Sequence, residues 1–354
     1  HTNYSFKEGA SAIDELLPRA RELGYRALAI TDHDNLCGAM QFAQVARSLD
    51  LQPIVGAEIT LKGGHHLTLL AETRQGYANL CRLVSYAYIS ADRRNPELDP
   101  KYLPEHAEGL LLLTGCRKGR VAGLLTEGKD EEAEAEAKRY LEWFGQENVF
   151  VELQQNLVHG DTLRNRRLVA LGRELGIPLV ATNNVHYHVR ERYRLQDCLV
   201  AIKACKSLEE SHRERRPNSE FFLKPPEVMA DLFQWCPQAV ENTTCIAQRC
   251  ATFDLTQDLG YQFPDYPVPK GYTPQSHLEH ICYQAAERRY GQITAKVRQR
   301  LDQEFGLIRK HNLAGFMLLY HEVIQLGREV MVDLGLVDRE VPIEEAPPGR
   351  GRGS

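Results

Sequence analysis

Three absences narrow what this chain can be. No apolar run approaches the ~20 residues that a membrane span needs, and no signal-peptide pattern opens the sequence. No CxxC pair occurs. The nine cysteines are odd in number and dispersed, which argues for reduced thiols over a disulfide framework or a zinc knuckle. Positive charge is also short, with 43 Lys and Arg against 48 Asp and Glu and a formal net charge of −5, so any binding of nucleic acid must use local basic patches. Together these features predict a cytoplasmic protein with no membrane segment. Hydrophobic residues at 43% and charged residues at 26% are ordinary for a folded domain, and 354 residues leave room for at least two units.

What is present is an alternation of strand and helix signals up to about residue 186. RALAIT is followed by GAMQFAQVARSL, PIVGAEITL, HLTLLA, GYANLCRLVSYAYI, GLLLLTG, a charged helix, VFVEL, TLRNRRLVALGRELG and PLVATN. The alternation predicts an α/β fold whose largely parallel sheet is wrapped by helices, open or closed into a barrel. Ser11 is the expected N-cap of a first helix with apolar positions Ile13, Leu16, Leu17, Ala20 and Leu23, which Pro18 should kink. The acidic stretch between Glu127 and Phe144 reads as a helix with a solvated outer face. After His188 the texture changes to a helix, the basic loop HRERRPNS, and a further helix behind Pro225 and Pro226. YQFPDYPVPKGYTP reads as a linker with a domain boundary near residue 265, dividing the chain into 1–265 and 266–354. The glycine-rich ending APPGRGRGS, and a start at His1 with no strand before it, make the chain read as a fragment.

The chemistry lies where strands end. Asp32, His33 and Asp34 follow the first strand, Cys116 follows LLLLTG, and Asn184, His186 and His188 follow PLVAT. A barrel places ligands at the mouth of its sheet in this way. Glu58 interrupts an apolar strand with a carboxylate, which burial makes costly unless a metal or base pairs it. His65 and His66 are adjacent and point to opposite faces, so one of them faces the site, and His66 is the choice. The expected metal ligands are therefore His1, His33, Glu58, His66, Cys116 and His186, and Asp32, His33 and Glu58 are the candidate catalytic residues. Imidazole, carboxylate and thiolate together suit Zn²⁺, Mn²⁺ or Fe²⁺. His159, His212, His277, His280, His311 and His321 have no such placement and read as surface or packing residues.

HTNYSFKEGAS, ALAITDHDNLCG, PIVGAE, HLTLLAET, GLLLLTGC, VATNNVHY and PPGRGRGS occur in this order. The series resembles the N-terminal part of the bacterial C-family DNA polymerases, the family of the DNA polymerase III alpha subunit. HYHVRERYRLQDCLVAI and EFFLKPPEVMADLF resemble its error-prone branch most. The resemblance implies a polymerase and histidinol phosphatase (PHP) domain, a distorted (β/α)7 barrel, followed by the start of the palm. Glu8 falls where the family commonly has Asp, and Asn184 where it usually has Asp, so both join the implied ligands. The resemblance also implies that Gly351, Arg352, Gly353 and Ser354 contact a nucleotide triphosphate, and that Mg²⁺ belongs to a polymerase site outside this chain. The implied partners are DNA, deoxynucleotides, a sliding clamp and replication or mutagenesis accessory proteins. A metal-dependent 3′–5′ exonuclease is the expected activity of the PHP domain. The alternatives are a phosphatase for a small phosphomonoester such as histidinol phosphate, and a silent scaffold.

Overall fold

In the first half of the chain, apolar residues recur at every second position of each strand, and this period decides what faces the helices and what faces inward. The computed structural model describes residues 1–89, 95–260, 263–336 and 340. It divides into two units, His1–Leu259 and Gly260–Ser354. Gly351, Arg352, Gly353 and Ser354 lie outside the described residues.

In the first unit, six strands form one sheet in sequence order: β1 (Ala27–His33), β2 (Gln52–Leu61), β3 (His65–Ala71), β4 (Leu110–Leu113), β5 (Val149–Gln154) and β6 (Leu179–Thr182). Pairs β1–β2, β4–β5 and β5–β6 are parallel, but β3 runs antiparallel to both β2 and β4. The expectation of parallel crossovers misses this reversal. Only Lys62, Gly63 and Gly64 separate β2 from β3, far too short a link for the dozen or more residues a parallel crossover needs.

Helix α1 (Ile13–Glu22) precedes β1, and α2 (Ala39–Ser48), α3 (Arg74–Ile89), α4 (Arg120–Thr126), α5 (Asp130–Phe144) and α6 (Asp161–Leu175) lie between the strands in sequence. Val55, Ala57, Ile59, Leu67, Leu69, Leu112, Val151 and Leu153 share a core with Leu80 and Leu83 of α3, Tyr140 of α5 and Leu168 of α6. In α5, Ala133, Ala137, Tyr140 and Phe144 make the buried stripe. The intervening positions of the opposite sheet face are layered. Ile54, Leu70, Leu111, Phe150 and Val180 pack on Ile246 and Cys250 of a later helix, α9 (Pro237–Cys250), and form an apolar floor. Farther along the same faces come Glu58, His66, Thr68, Glu152, Gln154 and Thr182, a polar layer that the floor shields from below.

The sheet curls into a half-barrel, a distorted barrel in which no pairing of β1 with β6 occurs among the described residues. Beyond β6, His186 N–H donates to the Phe221 carbonyl at 2.8 Å and Leu223 N–H to the Tyr187 carbonyl at 3.0 Å, forming a short parallel bridge. Leu223 then packs with Ile30 of β1 and with Ile13, Leu16 and Leu17 of α1, which brings the end of the series toward its beginning. Helices α7 (Tyr193–Ala204) and α8 (Pro226–Leu232) flank this segment in sequence.

One local expectation fails. Ser11 is not the cap of α1: the N-cap is Ala12, whose N–H donates to the Glu15 carboxylate at 3.0 Å. The Ser11 hydroxyl instead accepts from His188 N–H at 2.8 Å, a tertiary partner that local sequence cannot show. Pro18 lies inside α1, where the sequence reading places it.

The second unit carries α10 (Pro274–Tyr290), α11 (Ala295–Lys310) and α12 (Ala314–Asp333). Thr273 caps α10 through its hydroxyl, with Pro274 at the first helical position where no intrahelical N–H is needed. Leu278, Ala314 and Leu318 form its small core with Tyr266, Val268 and Ile308.

Gly56 stands where the inner face of β2 has no spare volume. A Cβ there would sit 2.4 Å from the Leu69 carbonyl oxygen and 2.6 Å from Leu70 Cδ2. Overpacking of this kind costs about 1–3 kcal/mol, so Gly56→Ala should lower the free energy of urea-induced unfolding by that amount at unchanged m-value.

Candidate metal centre

The register of the sheet assembles the centre. His33, the last residue of β1, is the Cα partner of Glu58 in β2, and His66 enters from the start of β3. Glu58 Oε1 lies 2.7 Å from His66 Nδ1 and 3.2 Å from His33 Nε2. One ligand atom from each of these three residues falls within 4.8 Å of the others, a donor set able to hold one metal ion. Cys116 Sγ lies 3.4 Å from His66 Nδ1. Gly115 permits that approach: its φ is +89°, and a Cβ would meet the His66 carbonyl oxygen at 2.3 Å.

A second group adjoins the first. Asn184 takes the left-handed conformation (φ +49°), which asparagine tolerates better than most residues. Its Oδ1 lies 3.1 Å from His1 Nε2 and 3.0 Å from His186 Nε2. The rings of His1 and His186 stack at 4.3 Å, and His1 Nε2 lies 4.0 Å from Glu58 Oε1, which links the two groups. Glu8 stands at the edge, with Oε2 at 3.8 Å from His33 Nε2 and Oε1 paired with Lys203.

Burial and close charges set the protonation of these groups. Burial pushes the Glu58 carboxyl up, but the His66 hydrogen bond and the His33 charge override it and bring the pKa down to about 2. Burial disfavours the charged form of His33, yet Asp34 at 3.2 Å from Nδ1, with Glu58 and Glu8, outweighs it and pushes the pKa up to about 9. Burial, with Arg216 adding to it, holds His186 well below the usual imidazole range, which leaves it neutral and fit to ligate. Burial and Glu58 push the Cys116 thiol well up. The His33, Glu58 and His66 donors suit a borderline divalent ion.

Asp32 is a correction to the expected catalytic set. It is the neighbour of His33 in an extended strand and therefore faces the other way. Its carboxylate accepts from Thr2 N–H at 2.6 Å, the Thr2 hydroxyl at 2.7 Å and the Ser5 hydroxyl at 2.7 Å. It anchors the segment that carries His1 and Glu8. His65 likewise faces away, with Nε2 3.0 Å from Arg120.

Several residues that the sequence reading set aside also belong here. A cleft of about 970 Å³ opens over Glu8, His33, Glu58, His66 and Cys116. His159 and His212, exposed as expected, line its rim, and Arg216 lines it too. HRERRPNS was legible as basic, but only the Tyr187–Phe222 bridge brings it to this mouth. Glu152 is the other omission. It breaks VFVELQ as Glu58 breaks VGAEITL, and it is buried among Thr68, Gln154 and Thr182, with burial raising its pKa.

Residues 1–156 match the PHP domain family model. The chain is 39% identical over 346 residues to an error-prone DNA polymerase of Symbiobacterium thermophilum, an alignment covering 93% of this chain and 32% of the relative. It is 34% identical over 369 residues to the DNA polymerase III alpha subunit of Treponema pallidum, covering 100% of this chain and 30% of that protein. The chain thus spans about a third of the length of these curated relatives. A solved structure named for a metal-dependent phosphoesterase of Bifidobacterium adolescentis covers 50% of this chain and 82% of its own, at 12% identity and a TM-score of 0.38. The fold and its ligand cluster define a PHP domain. The chain that carries it belongs to the bacterial C-family DNA polymerases, the family of the DNA polymerase III alpha subunit and the error-prone enzyme.

Two measurements check this centre. Because His33 holds a proton up to about pH 9 in the metal-free site, binding must expel it. The affinity for Zn²⁺ or Mn²⁺ should therefore rise by about tenfold per pH unit between pH 6 and 8 in isothermal titration. Asp32→Asn should cost about 1–3 kcal/mol of stability, since it disrupts buried hydrogen bonds, while His33→Ala removes the bound metal found by elemental analysis.

Proposed function

We propose that this chain is the PHP-bearing part of a DNA polymerase and that its PHP centre hydrolyses phosphodiesters at DNA 3′ ends. One observation carries the reading: His33 and His66 converge on a single buried oxygen of Glu58 at the base of a cleft lined by arginine and lysine. Metal-dependent phosphoester chemistry requires such a pairing of a hard, anionic ligand set with a cationic approach for the phosphate. In this reading His33, Glu58, His66 and Cys116 hold one divalent ion, and His1, Asn184 and His186, with Glu8, border a second position. A bound ion there supplies Lewis-acid polarisation of the phosphoryl oxygen. The protein's own part is to keep Glu58 ionised and His186 neutral, and to shield the reacting phosphate from below with the apolar floor.

The wider activity belongs to the same proposal: DNA-templated synthesis from deoxynucleotides by the full polymerase, with Mg²⁺ at a palm site, a sliding clamp and accessory proteins as partners, in the cytoplasm. Gly351, Arg352, Gly353 and Ser354 are proposed to contact the nucleotide triphosphate. Among the described residues no helix is long and apolar enough to cross a membrane. A silent scaffold is the second reading. It is favoured by Asn184, a neutral amide where a second ion would want a carboxylate, and by the Arg216 guanidinium set against His186.

The test is release of labelled nucleotides from a DNA 3′ end by the Mn²⁺- or Zn²⁺-loaded protein. Glu58→Gln and His33→Ala should each lower the rate at least a hundredfold without loss of fold by circular dichroism. A metal-loaded protein inert toward DNA and toward small phosphomonoesters would establish the scaffold. Hydrolysis of phosphomonoesters alone would establish a phosphatase.

A further inference from the structure

The cations around the cleft fall into two groups once each is matched with its partner. Lys203 is paired with Glu8, and Arg215 with Asp197 at 3.1 Å, so both are neutralised locally. Arg117, Lys118, Arg213 and Arg216 also line the cleft, and among the described residues none has a carboxylate within 4.0 Å. Arg216 is the most constrained of the four. Its guanidinium lies over the Phe221 ring, 4.3 Å from the centroid, its Nη2 abuts His186 Nε2, and its Nε is buried with no hydrogen-bond partner. Glu8 and Glu58 favour its charge only from beyond 4.0 Å, so a guanidinium held against an imidazole with a buried donor unpaired still lacks a contacting anion. Phosphate is the anion that matches its fork geometry.

Arg117 and Lys118 are exposed and follow β4, while Arg213 is exposed in a loop almost a hundred residues later. Two separate segments thus place unpaired cations along one mouth of a protein whose net charge is −5. A small phosphomonoester carries a single phosphate, which Arg216 alone would satisfy. Further phosphates in series would engage the others.

Building on the phosphodiesterase reading above, we propose that Arg216 binds the phosphate under attack and that Arg117, Lys118 and Arg213 bind the preceding backbone phosphates of a single strand. The mouth therefore selects a polynucleotide end over a free nucleotide.

The experiment is equilibrium binding to the 354-residue chain in EDTA, which prevents cleavage. The probes are a fluorescent oligothymidylate and thymidine 5′-monophosphate in competition. Arg216→Ala should weaken both ligands at least fivefold, and Arg216→Lys should recover part of that loss because it restores charge without the fork. The triple variant Arg117→Ala, Lys118→Ala, Arg213→Ala should lower the ratio of oligonucleotide to mononucleotide affinity at least tenfold. It should also flatten the dependence of log K on log salt by about 2, since each single-strand phosphate contact contributes about 0.7. A control pair on α5, Lys138→Ala with Arg139→Ala, removes charge away from the mouth and should change neither. An unchanged ratio and salt slope in the triple variant, or an equal effect of the control pair, overturns the strand-binding assignment. Unchanged binding in Arg216→Ala overturns its phosphate role. The cleavage assay on the unsubstituted protein keeps the two readings apart: a protein that binds as described but cleaves nothing refutes the hydrolase and not the clamp.

Discussion

A buried carboxylate governs the structure of this domain. Glu58 is 5% exposed and sits on the inward face of the sheet, on the strand whose Ile54 joins the apolar floor. An isolated ion there would cost several kcal/mol, so the surrounding elements are arranged to supply it with partners. His66 comes from the antiparallel turn that immediately follows β2, His33 from the parallel neighbour on the other side, and His1 from the start of the chain. The hairpin is what permits this. Had β3 been parallel, a crossover would have carried the chain away from Glu58, and a residue from a more distant segment would have had to face it.

The same constraint explains the investment in the segment from His1 to Ala10. It has no helix or strand of its own and is held by side chains and by single backbone contacts. Asp32 takes three hydrogen bonds from Thr2 and Ser5, and Ala10 N–H donates to the His186 carbonyl at 2.8 Å. Asp32 and His33 thus divide the work of one strand end. The outward carboxylate anchors a loop, and the inward imidazole joins the cluster that this loop completes.

Electrostatics then separates the interior of the centre from its mouth. Inside, ionised Glu58 and imidazolium His33 balance each other at 3.2 Å, a balance a metal ion would replace by displacing the proton. At the mouth, unpaired arginines and a lysine stand over a protein that is acidic as a whole. Field lines concentrate in such a cleft and raise the local concentration of an anionic ligand.

The sequence by itself determined the strand–helix alternation and the location of the chemistry at strand ends, because both are written in local periodicity. It also marked Glu58, since a carboxylate in an apolar run is visible without coordinates. Period two was equally available at Asp32, and applying it there as at His65 and His66 would have turned Asp32 away from the centre. The three-residue link that reverses β3 was within reach for the same reason: chain length forbids a crossover. Tertiary structure alone decided the rest. Ser11 serves His188, 177 residues away, instead of capping its own helix, and no local rule records such a partner. Arg216 reaches the cleft because residues 221 to 223 bridge to 186 and 187, a contact between segments more than thirty residues apart in sequence. Local sequence sets what a residue can do, and the curl of the sheet sets which residues meet.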